Sequence, residues 1–237
     1  MRLTRVYSAE GLRGRTSFSL EGEAAIHLLK VMRARCGDEF IAFDNCGCEY
    51  LCEVESVCKG RSLQARVKSE RWAAEREGDI LLRVCMAVVK GERFDWAVEK
   101  LTELGASEIV PIISEFTQVT APSAEKVSRW RRLAAEAACQ CGRVRVPRIC
   151  EPTGCLEAMR KYRAAAGRHM IIFCPGAELF KPDKAAGEEY TVFVGPEGGF
   201  SEAEERAAGE NGAQVWGLGP RILRVETAAL TAAARLL

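Results

Sequence analysis

The run Ile80-Leu81-Leu82-Arg83-Val84-Cys85-Met86-Ala87-Val88-Val89 restricts the architecture more than any other stretch of this chain. It is almost continuously apolar, the mark of a strand covered on both faces, as strands are in a parallel sheet. A parallel neighbour needs a crossover, and the next residues supply one. Phe94, Val98, Leu101 and Leu104 recur at helical spacing until Gly105 stops the helix.

The same alternation then continues to the carboxyl end. A strand-like IVPII at 109–113 is followed by a helix over about 124–141 and another near 155–165. MIIFC at 170–174 and TVFV at 191–194 read as two more strands. Ser201 and Glu204 have the spacing of a capping box and open a further helix. A last strand at Gln214 to Trp216 and a helix over Glu226 to Leu237 complete the pattern, which predicts an α/β domain built on a parallel sheet.

Residues 1–70 have another rhythm. Glu49 to Glu55 and Ser62 to Lys68 alternate apolar and polar residues with period two, and Asn45 and Gly47 supply a turn before the first of them. Short strands with tight turns predict a small β-barrel. EGEAAIHLLKVMRAR reads as one helix ending at Arg33 and Arg35. The charged, weakly patterned SERWAAEREGD at 69–79 marks the boundary, giving domains at 1–70 and 78–237.

Composition narrows the partners. With 237 residues, 48% of them hydrophobic and 28% charged, the chain can bury a substantial core, and a net charge of +1 makes any basic surface local. One such stretch carries Arg129, Arg131, Arg132, Arg143, Arg145 and Arg148 against the single acid Glu136. It suits a solvated helix face as well as a phosphate-contacting strip.

No stretch approaches the roughly 18 apolar residues of a membrane span, and the amino terminus lacks the apolar core of a signal peptide, so a cytoplasmic protein with no membrane partner is expected. Eleven cysteines, an odd number, point to reduced thiols. Cys46, Cys48 and Cys52, like Cys139 and Cys141, lack the paired spacing of structural zinc sites, so they read as small buried hydrophobes and no metal is expected. The two histidines, His27 and His169, read as structural.

Ligands of open α/β sheets sit beyond the carboxyl ends of the strands. Two glycine-rich loops fall there: GPEGGFS at 195–201, after TVFV, and GLGPRILRVET at 217–227, after AQVW. Neither is a phosphate-binding P-loop nor the dinucleotide fingerprint, because Pro220 and Arg221 break the glycine pattern. Glu197 would repel a fixed anion. Backbone groups exposed by glycine, with apolar Leu218, Ile222 and Leu223, suit a nucleoside bearing a positive centre, as S-adenosylmethionine does.

GPEGGFS together with LGPRILRVETAA resembles the signature of the 16S ribosomal RNA (uracil-N3) methyltransferase family, a branch of the SPOUT superfamily. HLLKVMRARCGDEF, KGERFDWAVEKLTELG, IVPIISEFT and ACQCGRVRVP follow in the family's order. Where the family usually has a glutamate before Gln140, this chain has Cys139. The resemblance implies an amino-terminal PUA-like barrel that binds RNA, a trefoil-knotted α/β methyltransferase domain, a homodimer, and 16S rRNA of the small ribosomal subunit as substrate.

It also implies that Val194, Gly195, Pro196, Glu197, Gly198, Gly199, Gly217, Leu218, Gly219, Ile222, Leu223 and Arg224 hold the donor. Methylating N3 of uracil requires removing its proton and stabilising the anion, for which Arg224, Glu226 and Arg221 are the candidates. The plainer readings are an Arg224–Glu226 salt bridge and a glutamate favoured by a helix dipole. Arg33, Arg35, Lys90, Arg93, Arg131, Arg132, Gln140 and Arg143 are the candidates for RNA contact. A SPOUT enzyme acting on another RNA, or a non-catalytic assembly factor, are the alternatives.

Overall fold

The computed structural model describes residues 3–58, 61–119, 121–182 and 186–237. The chain forms two compact units, one of residues 1–77 with 138–146, the other of 78–137 with 147–237. The sequence pattern gave no sign that 138–146 counts with the first unit.

In the first unit β1 (Arg5–Tyr7), β2 (Ser17–Leu20), β3 (Glu39–Phe43), β4 (Cys48–Cys58) and β5 (Ser62–Trp72) form one sheet in the order β1-β3-β4-β5-β2. Only β1 and β3 run parallel; the other pairs are antiparallel. Inward-facing Phe18, Leu20, Phe40, Tyr50, Val54 and Leu63 make its core, as period-two strands around an apolar centre require. The predicted helix at 21–35 is much shorter. α1 (Gly22–Ile26) gives way to a wide turn over His27–Val31, and Arg33, at a φ of 57°, ends it. Only Ala25 and Leu28 bury deeply there, too few to hold a longer helix in register.

The second unit contains β6 (Leu81–Ala87), α2 (Arg93–Leu104), β7 (Glu108–Ile113), α3 (Ala124–Cys141), β8 (Arg148–Ile149), β9 (Thr153–Gly154), α4 (Cys155–Lys161), β10 (Arg168–Phe173), β11 (Glu189–Val194), α5 (Glu202–Glu210), β12 (Gln214–Trp216) and α6 (Val225–Leu236). The last turn of α3 counts with the first unit. The sheet order is β12-β10-β11-β6-β7-β8, with β9 also on β7, and every pairing is parallel.

β6 and β11 lie at its centre, and the apolar run at 80–89 is buried almost throughout its strand. Its one charged residue, Arg83, is matched across strands: it pairs with Glu108, with Glu189 at 2.5 Å and with the Thr191 hydroxyl at 2.9 Å, and stacks on Tyr162. A half-buried guanidinium is tolerated here because its donors meet acceptors.

α6 packs on α2, β6 and β11 through Ala229, Ala232, Ala233 and Leu236. All eleven cysteines are free thiols, and five of them, Cys48, Cys52, Cys85, Cys150 and Cys155, are buried. Burial pushes the Cys52 thiol up to about 12, so it packs as a neutral group. Among the described residues no cluster of His, Cys, Asp or Glu is arranged to hold a metal, and no helix is long and apolar enough to cross a membrane.

Candidate donor site at the carboxyl ends of the parallel strands

The loop after β11 owes its glycines to packing as much as to openness. A Cβ on Gly195 would stand 3.0 Å from the Phe200 ring, and one on Gly198 would stand 3.1 Å from Phe116. Gly199 has a φ of 76°, and its amide closes the turn on the Pro196 carbonyl at 2.9 Å. Val194 and Pro196 are buried, whereas Glu197 projects outward.

The capping box forms as predicted: Glu204 N donates to Ser201 Oγ, and Ser201 N donates to Glu204 Oε2. The same carboxylate reaches further than the box requires. Glu204 Oε2 also accepts from the Ser114 hydroxyl at 2.9 Å, and Oε1 accepts from the Glu115 amide at 3.1 Å. The loop after β7 is thereby fastened to the start of α5, beside the glycine turn.

The second loop is fixed by a close backbone approach. Gly217 donates to the Glu178 carbonyl at 2.6 Å and accepts from the Phe180 amide at 2.9 Å, and any Cβ on it would collide with the Ala177 carbonyl. The chain after β10 therefore runs beside β12, with Phe180 packed on Phe173 and Trp216. Beyond Gly217 the backbone opens. Among the described residues no hydrogen bond engages the amides of Leu218, Gly219, Ile222 or Leu223.

Leu218 and Leu223 are half-buried, but Ile222 is 86% exposed. Arg224 is the N-cap residue of α6, and Arg221 and Arg224 are both exposed. Neither forms an ion pair among the described residues, so the Arg224–Glu226 salt bridge is not formed.

Glu226, in the first turn of α6, is 6% exposed, and its Oε2 has no hydrogen-bond partner among the described residues. Its nearest cation is Arg93 Nη1 at 3.8 Å, and that same nitrogen holds Glu197 Oε1 at 2.9 Å. Arg93 is the first residue of α2. One guanidinium therefore links the glycine loop to the start of α6, a role its place in the sequence did not announce. It lies beside the glycine loop, where it meets Glu197 and Glu226.

S-adenosylmethionine fits these residues. Free amides and half-buried Leu218 and Leu223 suit an adenosine. The carboxylates of Glu197 and Glu226 put negative charge beside these loops, which suits a donor that carries a positive charge.

The expected RNA contacts separate into two groups. Arg33, Arg35, Lys90, Arg132 and Gln140 are exposed. Arg131 is exposed but holds Glu151 at 2.6 Å. Arg143 does not suit a phosphate-binding role. It is 7% exposed, and its Nε and Nη2 hold Glu77 Oε2 at 3.0 and 2.8 Å, while the Val144 and Arg145 amides donate to Glu77 Oε1. It organises the turn after α3 within the first unit. Cys139, where the family usually has glutamate, is half-buried.

Residues 76–237 match the RNA methyltransferase domain family, and residues 20–68 match the RNA methyltransferase PUA domain. The chain is 31% identical over 230 residues to ribosomal RNA small subunit methyltransferase E of Bacillus subtilis (strain 168), covering 91% of this chain and 88% of that one. It is 30% identical over 220 residues to the enzyme of the same name from Mycobacterium tuberculosis (strain CDC 1551 / Oshkosh), covering 90% and 83%.

The crystal structure of ribosomal RNA small subunit methyltransferase E from Neisseria gonorrhoeae bound to S-adenosyl methionine superposes with a TM-score of 0.84 at 30% identity, over 98% of this chain and 96% of that one. A Legionella pneumophila protein solved with bound S-adenosylmethionine gives a TM-score of 0.88 at 30% identity, over 98% and 96%.

Proposed function

The chain belongs to the RNA methyltransferase family, and from that premise we propose that it transfers a methyl group from S-adenosylmethionine to N3 of a uridine in 16S rRNA of the small ribosomal subunit. The observation that carries this reading is the buried Oε2 of Glu226, without a hydrogen bond among the described residues, beside Arg93 at the end of two amide-rich loops.

When bound, S-adenosylmethionine supplies an electrophilic methyl group. The loops 195–199 and 217–223 would hold it, and much of the acceleration would come from that positioning. Glu226 Oε2 accepts the N3 proton of uracil, for which a buried acceptor with no hydrogen bond among the described residues is suited. Arg224, exposed and unpaired at the mouth of the site, donates to the uracil oxygen on which negative charge gathers. Arg221 steadies the same edge. Arg93 orients Glu197 and Glu226 and is a positioning residue.

Arg33, Arg35, Lys90 and Arg132 neutralise RNA phosphates. A homodimer in which the backbone of the second unit threads a trefoil knot completes the proposal; Ile222, bare in the single chain, is the residue it would cover. An in vitro transfer assay with labelled donor tests the function, comparing small subunits from cells lacking the gene with free 16S RNA. Mass mapping should find one new N3-methyluridine; incorporation into another base, or none into either substrate, would overturn the reading.

A further inference from the structure

Away from the donor loops, the first unit holds a hollow of about 440 Å³ walled by Arg5, Arg71, Arg76 and Glu49, with the backbone of Gly142 at one edge. Its electrostatics are lopsided. Glu49, 6% exposed, accepts from all three arginines: from Arg5 Nη1, from Arg76 Nη1, and from Arg71 Nη2 at 2.6 Å. One guanidinium in a two-pronged grip is enough for a carboxylate.

Three of them leave positive charge in excess beside the hollow. Among the described residues no other acid pairs with any of them.

Two further features point to an anion. Arg5 is held by Glu49, by the Arg143 carbonyl at 2.9 Å and by the face of Phe43, yet among the described residues its buried Nε finds no acceptor, although its side chain is only 8% exposed. Arg76 is steadied by the Gly142 carbonyl at 3.2 Å, while Arg71, 61% exposed, keeps donors for something else. Preset planar donors around an open hollow match a tetrahedral oxyanion with several acceptor oxygens.

We propose that the hollow between Arg5, Arg71 and Arg76 is a phosphate-binding site that receives a backbone phosphate of the RNA substrate. Only the source of the phosphate rests on the function proposed above. The charge and the hollow stand without it.

The test uses the full chain and its Arg71→Ala/Arg76→Ala variant, with fluorescein-labelled single-stranded RNA read by anisotropy across a salt series, and S-adenosylmethionine binding by calorimetry. The site predicts RNA affinity lower by about tenfold or more in the variant and a salt slope shallower by about one to two units, with donor affinity unchanged. Unchanged RNA affinity and slope would overturn the proposal. If inorganic phosphate stabilises the parent but not the variant while RNA binding is equal, the site takes a free anion and the RNA source is wrong.

Should the double variant fail to fold, Arg71→Lys/Arg76→Lys keeps the charge and loses the forks, and must keep the slope while losing affinity. If the parent binds RNA in this way yet transfers no methyl group to any RNA, the proposed activity fails and the phosphate site does not.

Discussion

Glu204 and Glu226 occupy nearly equivalent places, each a buried glutamate in the first turn of a helix at the carboxyl ends of the parallel strands, 3% and 6% exposed. The helix dipole favours both alike. Their hydrogen bonds divide them. Both oxygens of Glu204 are committed, to Ser201, Ser114 and Glu115, whereas Oε2 of Glu226 has no hydrogen-bond partner among the described residues. The first is a brace and the second an unused acceptor, so similar burial does not imply similar work.

The largest expected effect follows from that contrast. Glu226→Gln should lower kcat by about 100-fold or more, the range of a lost general base, while the folded state holds within about 1 kcal/mol because no native hydrogen bond to Oε2 is lost. Single-turnover kinetics with calorimetric melting would check both. A rate within threefold of the parent would reduce Glu226 to a second brace. Arg224→Ala should cost about 10- to 100-fold in kcat with donor affinity kept, since its guanidinium forms no ion pair among the described residues. Binding calorimetry beside the transfer assay separates the two effects.

Glu204→Gln should behave in the opposite way. Its amide nitrogen would face donors, leaving one of them unmet at a cost of about 2 kcal/mol, with activity falling only as the fold does. Denaturant unfolding measures that loss, and a large rate effect in a fully folded variant would erase the contrast.

Glu49 extends it to the first unit as a carboxylate with too many partners. Burial opposes its charge, but hydrogen bonds from Arg5 and Arg71 outweigh that and hold it down at about 2. Because the folded value lies below the ordinary range, its stabilisation is complete above about pH 5 and is lost as pH falls toward 2. Melting temperature against pH should fall through that window, and Glu49→Gln should flatten the part of the fall due to this group. The smallest effect belongs to Arg131→Ala. An exposed pair with Glu151 is worth under about 1 kcal/mol, and RNA affinity should change less than threefold.

Much of the fold could be read beforehand because its strands carry period and length. The runs at 80–89, 109–113, 170–174 and 191–194 became β6, β7, β10 and β11. The two-residue strands β8 and β9 and the three-residue β1 have no period to show. The helix expected near 155–165 stops at Lys161, because Tyr162 turns to lie against Arg83. At the site, both glycine loops were visible as composition. The tasks of Arg93 and Arg143 were not, since each is set by an acid far away in the chain, Glu197 and Glu77.

What the sequence determined by itself was the class: apolar runs long enough to be buried on both faces, helices between them, and glycine where the backbone had to turn or touch. The tertiary structure alone decided which charged groups are spent. Ser114 meets Glu204 across 90 positions of sequence. No local pattern records that meeting, because a hydrogen bond depends on where atoms arrive in space, and it is part of what leaves both oxygens of Glu204 engaged.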